Sequence, residues 1–152
     1  MKRLSMVHHS IGGKTKEMAS LLTDMLLNED RLIEFRSFSA FEAKASDILQ
    51  SDGIIFGTPA NFGYMSGALK DFFDRNYYEL EGKVEAVPYA IFVSASTDGT
   101  GAVESVRRIC RGLNLREVQE PLVLTKKLSE SDQSRLRDFG MTMAVGIDAG
   151  IF

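Results

Sequence analysis

Strand-like and helix-like segments alternate five times along this chain, and this alternation constrains the fold more than any other feature. The clearest strand, 52–57, carries a continuous apolar run, as strands covered on both faces do. Regular β–α alternation predicts a parallel sheet with helices on both faces, joined by right-handed crossovers. We therefore predict a three-layer α/β/α sandwich, and 152 residues fit one domain over 1–152.

Hydrophobic periodicity sets the bounds of the individual elements. It predicts strands over 2–9, 31–36, 52–57, 87–95 and 121–125. It predicts helices over 14–27 and 41–49, and further helical stripes over 65–77 and 103–113. Ser129, with Asp132 three residues later, is predicted to cap a last helix that buries Leu136, Phe139 and Met143.

The three loops richest in glycine and hydroxyl groups follow the first, third and fourth strands, at 10–15, 58–64 and 94–101. Loops that follow parallel strands meet at one edge of the sheet, where such folds bind their ligands. We therefore expect these three loops to form a single ligand site.

The first of these loops has the composition of a phosphate seat. It reads Ser10-Ile11-Gly12-Gly13-Lys14-Thr15 and runs directly into a helix. Glycines let backbone N–H groups converge, and the helix N-terminus adds about half a positive charge. Lys14 and Lys16 oppose the helix dipole, at a cost of about 0.3–1 kcal/mol, unless an anion lies between them. The alternative is an ordinary glycine connection with two solvated lysines.

Two nucleotide-binding patterns fit this loop poorly. A Walker-type loop would need its first glycine where His8 stands, and no later apolar strand ends in an aspartate suited to Mg²⁺. A dinucleotide fingerprint needs spaced glycines, and it needs an acidic residue where Arg36 and Ser37 stand.

A third pattern fits. The loop 10–15 resembles the FMN phosphate loop of the flavodoxin superfamily, hydroxyl-x-Thr-Gly-x-Thr. The segment 57–67 is similar to Gly-[Ser/Thr]-Pro-x-x-Phe/Tyr-Gly-x-Met-[Ser/Ala] of the flavodoxin-like NAD(P)H:quinone oxidoreductases and related flavin reductases. Segments 69–75 and 80–83 also resemble that family. Gly12 departs from the pattern, because the family usually has a threonine there whose hydroxyl helps to hold the phosphate. Its absence either weakens phosphate binding or leaves the contact to Lys14.

The resemblance implies a flavodoxin-like sandwich with a five-stranded parallel sheet in the order 2-1-3-4-5. It also implies FMN as cofactor and NAD(P)H as reductant. The first loop would hold the phosphate and the other two the isoalloxazine ring. The expected cofactor-binding residues are Ser10, Ile11, Gly12, Gly13, Lys14, Thr15, Pro59, Ala60, Asn61, Phe62, Gly63, Ser94, Ala95, Ser96, Thr97 and Gly99. Phe62 and Tyr64 either wall the flavin or simply pack beneath their loop.

Three functions are open at this point. The chain could be an enzyme that reduces a quinone, a flavin or another small acceptor, an electron carrier of the flavodoxin type, or a module that has lost its cofactor. In electron carriers, clustered charge around the flavin steers protein partners and speeds their association. Here, however, 58–68 is uncharged and 94–101 holds only Asp98. We therefore predict an FMN-dependent NAD(P)H oxidoreductase. We assign no catalytic acid or base, because hydride transfer through a flavin does not require one.

Composition limits the partners. A net charge of -3 gives no reason to expect nucleic acid, and no apolar run reaches membrane-spanning length. With one cysteine, Cys110, no internal disulfide can form, so we expect a cytoplasmic protein that acts on a small molecule. The chain is short, and a neighbouring subunit in a homo-oligomer could complete its pocket. We expect no metal site, because neighbours in a strand such as His8 and His9 point to opposite faces.

Overall fold

The structure is a computed structural model that describes residues 1–10 and 12–152. Its strands are β1 (Arg3–His8), β2 (Glu34–Ser39), β3 (Gly53–Pro59), β4 (Pro88–Ser94), β5 (Arg116–Glu117) and β6 (Leu122–Leu124). Its helices are α1 (Lys14–Leu27), α2 (Ala45–Ile48), α3 (Gly67–Leu80), α4 (Thr100–Gly112) and α5 (Glu130–Asp148). None of the helices described is long and apolar enough to cross a membrane.

The strands form one parallel sheet in the order β2-β1-β3-β4-β5, with β6 also paired to β4. This confirms the predicted sandwich and its strand order. The strand predicted over 121–125 is found as β6, and one further short strand, β5, also pairs with β4. Pro121 precedes β6 and has no N–H to donate, which interrupts the ladder.

Two other predicted elements are shifted. The second strand starts at Glu34 rather than Arg31, because Leu32 and Ile33 donate their N–H groups to the Glu29 carbonyl and form a turn. The helix predicted over 41–49 shrinks to α2. Its first half is held out of a helix by Arg75, whose guanidinium donates to the carbonyls of Ala40 (2.7 Å) and Ala43 (3.1 Å).

The sheet buries a core on each face. Helices α2, α3 and α4 cover one face, where Phe56 lies 5.2 Å from Phe73 between ring centroids. Helices α1 and α5 cover the other, against residues such as Met6 and Phe92. Cys110 lies fully buried in the first core, as predicted, and burial raises the pKa of its thiol. The two cores cover both faces of the sheet, and its carboxyl edge carries the loops that follow β1, β3 and β4.

Candidate active site

The loops after β1, β3 and β4 meet at one edge of the sheet, as predicted. Backbone hydrogen bonds join them, from His9 N to the Gly57 carbonyl (3.2 Å) and from Ala60 N to the Ser94 carbonyl (2.8 Å). The hydroxyl of Thr15, in the first turn of α1, hydrogen-bonds to that of Ser94. The three loops therefore form one continuous surface.

The loop before α1 leaves the helix N-terminus open. Gly12 (φ 126°) and Gly13 (φ 83°) take backbone conformations that side chains disfavour, and both are exposed. Ser10 Oγ accepts from Gly12 N (3.2 Å), while among the residues described no side chain caps α1. The first N–H groups of a helix have no partner within it, so those of α1 are available to a ligand. Ile11, also predicted to bind the cofactor, lies outside the described residues.

Lys14 lies at this open end, half-buried in the first turn of α1. It also lies within electrostatic reach of Asp132 in the first turn of α5. The pKa of Asp132 is lowered chiefly by the N–H of Ser129, and Lys14 adds a smaller contribution. Asp132 thus attracts Lys14, whereas the positive end of the α1 dipole repels it.

Thr15 occupies a different position from the exposed part of the loop. Its side chain is only 2% exposed, and its hydroxyl is bonded to that of Ser94, which is also buried. Thr15 thus ties the first turn of α1 to β4 in this structure.

The segment after β3 forms a tight hairpin turn. Asn61 and Tyr64 exchange two backbone hydrogen bonds of 2.8 and 3.0 Å, and both residues between them have positive φ, Phe62 at 53° and Gly63 at 71°. Two positive φ values describe a type I′ turn. A phenylalanine in this region is strained by about 1–3 kcal/mol. Its side chain is nevertheless fully exposed, so the interpretation of Phe62 as packing beneath its loop is wrong.

Helix α4 fixes the position of this turn. A Cβ built on Gly101 would overlap the carbonyl oxygen of Gly63, so the two backbones touch. Ser105 Oγ accepts from Met65 N (3.0 Å) and donates to the Ala102 carbonyl (2.7 Å). The turn is thus held against the first two turns of α4. Sequence reasoning missed both Gly101 and Ser105, and the only available signal was the glycine spacing after Asp98.

The loop after β4 is anchored on both sides. Ser94 and Ala95 are buried, whereas Ser96 and Thr97 are exposed at the edge. Asp98 accepts from Thr100 Oγ1 (2.6 Å) and N (2.8 Å), and these hydrogen bonds hold the pKa of its carboxyl below its usual value. The one carboxylate of the segment is therefore used to begin α4.

The family model for NADPH-dependent FMN reductases matches residues 10–129, which include all three loops. The chain belongs to this family. Membership confirms the resemblance to the flavodoxin-like flavin reductases, and the strand order confirms the flavodoxin-like fold.

Curated relatives of this FMN reductase family member carry two kinds of name. An NAD(P)H dehydrogenase (quinone) of Acidithiobacillus ferrooxidans is 42% identical over 65 residues, which are 41% of this chain and 32% of the relative. A flavodoxin of Aquifex aeolicus is 30% identical over 101 residues, 66% of this chain and 54% of the relative. The chain thus spans about half or less of the length of these two relatives.

Solved structures show the same fold at low identity. Flavodoxin 1 of Bacillus cereus superposes with a TM-score of 0.79 at 22% identity, covering 92% of this chain and 95% of the other. A WrbA-like flavodoxin of Agrobacterium tumefaciens gives a TM-score of 0.76 at 16% identity and covers 99% of both chains.

The geometry of this FMN reductase family member fits FMN. The open N-terminus of α1 beside Gly12 and Gly13 offers a cradle for a phosphate. The exposed ring of Phe62 offers a surface for stacking a flat ring system. The predicted residues fall into two groups. Ser10, Gly12, Gly13, Lys14, Pro59, Ala60, Asn61, Phe62, Gly63, Ser96 and Thr97 are exposed or half-buried at the edge, whereas Thr15, Ser94, Ala95 and Gly99 are buried beneath it.

The two histidines serve separate structural roles. His8 Nε2 hydrogen-bonds to Ser37 Oγ (3.1 Å), and the ring of His9 packs edge-on against Phe41 with centroids 5.3 Å apart. Phe41, 62% exposed, is a further aromatic at this edge that sequence reasoning missed. In the described part of the chain, no three His, Cys, Asp or Glu side chains cluster as metal ligands.

The two half-buried histidines predict acid-sensitive stability. Burial lowers the pKa of both, with His9 also acting on His8, and the Nδ1 atom of each lacks a partner among the residues described. The unfolded chain therefore binds more protons below about pH 6.5, so stability is lost as pH falls through that value. We expect urea midpoints to fall between about pH 7.5 and about pH 5.5, and to fall less in His8→Gln. An identical decline in both proteins would contradict this.

Proposed function

We propose that this chain binds FMN at the three-loop edge and uses it to pass electrons from NAD(P)H to a quinone, a flavin or another small acceptor. The observation that carries the proposal is the turn 61–64, which presents a strained and fully exposed Phe62 beside an open phosphate cradle. An exposed aromatic held at an energetic cost is best explained by a ligand that stacks on it.

Each part of the edge would take one part of the cofactor. Ser10, the N–H groups around Gly13, and Lys14 would bind the phosphate through charge-assisted hydrogen bonds. Backbone groups of 59–63 and 94–99 would meet the polar edge of the ring, and Phe62 would cover one of its faces. Bound FMN supplies the electron chemistry, and the chain supplies position and a surface of low charge.

The uncharged rim favours an enzyme. Segment 58–68 has no charged residue, and Asp98 is engaged by Thr100. A flat nicotinamide or quinone can stack on such a surface without displacing tightly bound water from charges. A neighbouring subunit could cover the exposed side of Phe62 and complete the acceptor pocket.

A flavodoxin-type electron carrier is the second candidate. The similarity to a curated flavodoxin over two thirds of this chain supports it. Such a carrier would be reduced by a protein partner, and it would need no pocket for a nicotinamide.

Anaerobic stopped-flow mixing separates the two functions. We expect NADH or NADPH to bleach the visible absorbance of the FMN-loaded protein rapidly, and a quinone to restore it. If the absorbance stays unchanged with both nicotinamides but falls with a reductase protein, the carrier is correct and the enzyme is not.

A further inference from the structure

The turn between β2 and α2, residues 40–44, reaches the carboxyl edge of the sheet beside the phosphate loop. Ala40 N donates to the His8 carbonyl (2.8 Å), next to the rung that ends the pairing of β1 with β2. Phe41 follows, and its ring meets the ring of His9, the residue directly before Ser10. The turn 40–44 therefore contacts the segment that leads into the phosphate loop at two points.

Phe41 is largely exposed, so burial in a core does not explain its position. Its ring stands at 81° to that of His9, and edge-to-face arrangements of this kind are favourable. The backbone N–H of His9 in turn donates to the Gly57 carbonyl in β3 (3.2 Å). His9 is thus held by β2's following turn on one side and by β3 on the other.

Helix α3 fixes the turn 40–44 from a third direction. The guanidinium of Arg75 donates to the carbonyls of Ala40 and Ala43, and Asp71 accepts from the same guanidinium (2.6 Å). Ala40 and Ala43 are fully buried, so water does not readily replace these donors. The turn therefore cannot move away from α3 without leaving buried carbonyls unpaired.

The composition of the phosphate loop makes outside support necessary. Gly12 and Gly13 both have positive φ and are exposed. In the described part of the loop before α1, the side-chain hydrogen bonds are those between Ser10 Oγ and the backbone of Gly12. Glycine has more backbone freedom than any other residue, so such a loop does not fix its own position. The residues that hold His9 then determine where Ser10 lies.

We propose that Arg75 and Phe41 are positioning residues for the phosphate of FMN. Arg75 holds the turn 40–44, Phe41 holds His9, and His9 holds the start of the phosphate loop. The proposal rests on the proposed function, in which that loop binds the phosphate, and neither side chain would touch FMN itself. A site that is in its binding arrangement only part of the time loses affinity in proportion, so contacts that hold the loop raise the affinity for FMN.

A comparison of FMN with riboflavin tests the role of Phe41 without turnover. Phe41→Ala should weaken FMN binding about three- to tenfold, the factor that corresponds to one aromatic pair. Riboflavin has no phosphate, so its affinity should stay within about twofold of the wild-type value. Phe41→Tyr keeps the ring and should bind both flavins as wild type does. Calorimetric titration of the ligand-free proteins with each flavin is the measurement.

Tyr78→Ala is the matched control for Phe41→Ala. Tyr78 is also exposed, and its ring also stands edge-on to a neighbouring ring, that of Tyr77. It lies in the last turn of α3, about 16 Å along the helix from Gly67. Tyr78→Ala should leave both affinities unchanged. A loss of FMN affinity equal to that in Phe41→Ala would show a general loosening of the protein and overturn the proposal.

Arg75→Lys extends the test to α3. Lysine lacks the planar fork that serves both carbonyls, so FMN affinity should fall about two- to fivefold and riboflavin affinity less. In the double variant with Phe41→Ala, the loss should be smaller than the product of the two single losses, because both residues act through one turn. Arg31→Lys is the control, since Arg31 is exposed before β2 at the opposite edge of the sheet, and it should change neither affinity.

The outcomes separate this proposal from the proposed function. If wild type prefers FMN to riboflavin and Phe41→Ala keeps the same preference, the positioning role is wrong and the FMN site stands. If Phe41→Ala weakens both flavins equally, Phe41 contacts the ring system and the positioning role is again wrong. If wild type binds no FMN, the proposed function fails, and the positioning role fails with it.

Discussion

Gly101→Ala is expected to weaken FMN binding by about tenfold or more while the protein remains folded. The new Cβ would overlap the Gly63 carbonyl oxygen, and a backbone atom cannot swing away as a side chain can. Overpacking of this kind costs about 1–3 kcal/mol of stability. The higher helix propensity of alanine relative to glycine offsets up to about 1 kcal/mol of that cost. The turn 61–64 must therefore move, and Phe62 moves with it.

Gly67→Ala is the matched control for this effect. Gly67 is the first residue of α3, and a Cβ there meets no atom within 4 Å. Gly67→Ala should leave FMN affinity unchanged, and its urea midpoint should equal or exceed that of the wild type. FMN titration of the two variants beside wild type is the measurement. Wild-type FMN affinity in Gly101→Ala, with its turn displaced, would show that the turn is not the flavin wall.

Lys14→Ala is expected to weaken FMN about tenfold or more and riboflavin much less. A charge-assisted contact to a phosphate contributes about 1.5–3 kcal/mol to binding. Riboflavin lacks the phosphate, so it has no such contact to lose. Stability of the ligand-free protein should change little. Removing Lys14 relieves its repulsion by the helix dipole and also removes its attraction to Asp132.

Lys2→Ala provides the control for Lys14→Ala, since Lys2 is exposed before β1 at the opposite edge. It should bind both flavins as wild type does. Equal losses of FMN and riboflavin in Lys14→Ala would place the phosphate elsewhere. Thr15→Ala is a poorer test than the sequence suggests, because it would also leave the buried Ser94 hydroxyl without its partner.

The local sequence pattern was sufficient to predict the bounds of a helix wherever the residues that set its ends lie within it or next to it. Helix α1 begins at Lys14 and ends at Leu27 as predicted, because the glycines before it and the apolar stripe within it mark both. Ser129 and Asp132 form the predicted reciprocal cap of α5. The shortening of α2 was not predictable, because it depends on Arg75, a residue of α3 that is distant in sequence.

At the site, too, some features follow from the order of the elements and others depend on contacts between distant residues. The β–α order alone predicts that the three loops share an edge, since carboxyl ends of parallel strands lie together. Local sequence does not reveal that Gly101 touches Gly63, that Thr15 bonds to Ser94, or that His9 packs on Phe41. Each of these contacts joins residues that only the folded sheet brings together.

If the three separate loops form one FMN site, amide NMR shifts during an FMN titration will show it most directly. We expect the N–H signals of Gly13, Lys14, Phe62, Gly63 and Thr97 to change together, with one dissociation constant. Signals of Arg31 and Lys2 at the opposite edge should stay fixed. A groove lies between α1 and α5 and is lined by Leu22, Met25 and Leu136, among others. Shifts confined to one loop, or centred on that groove, would contradict a single site at the three-loop edge.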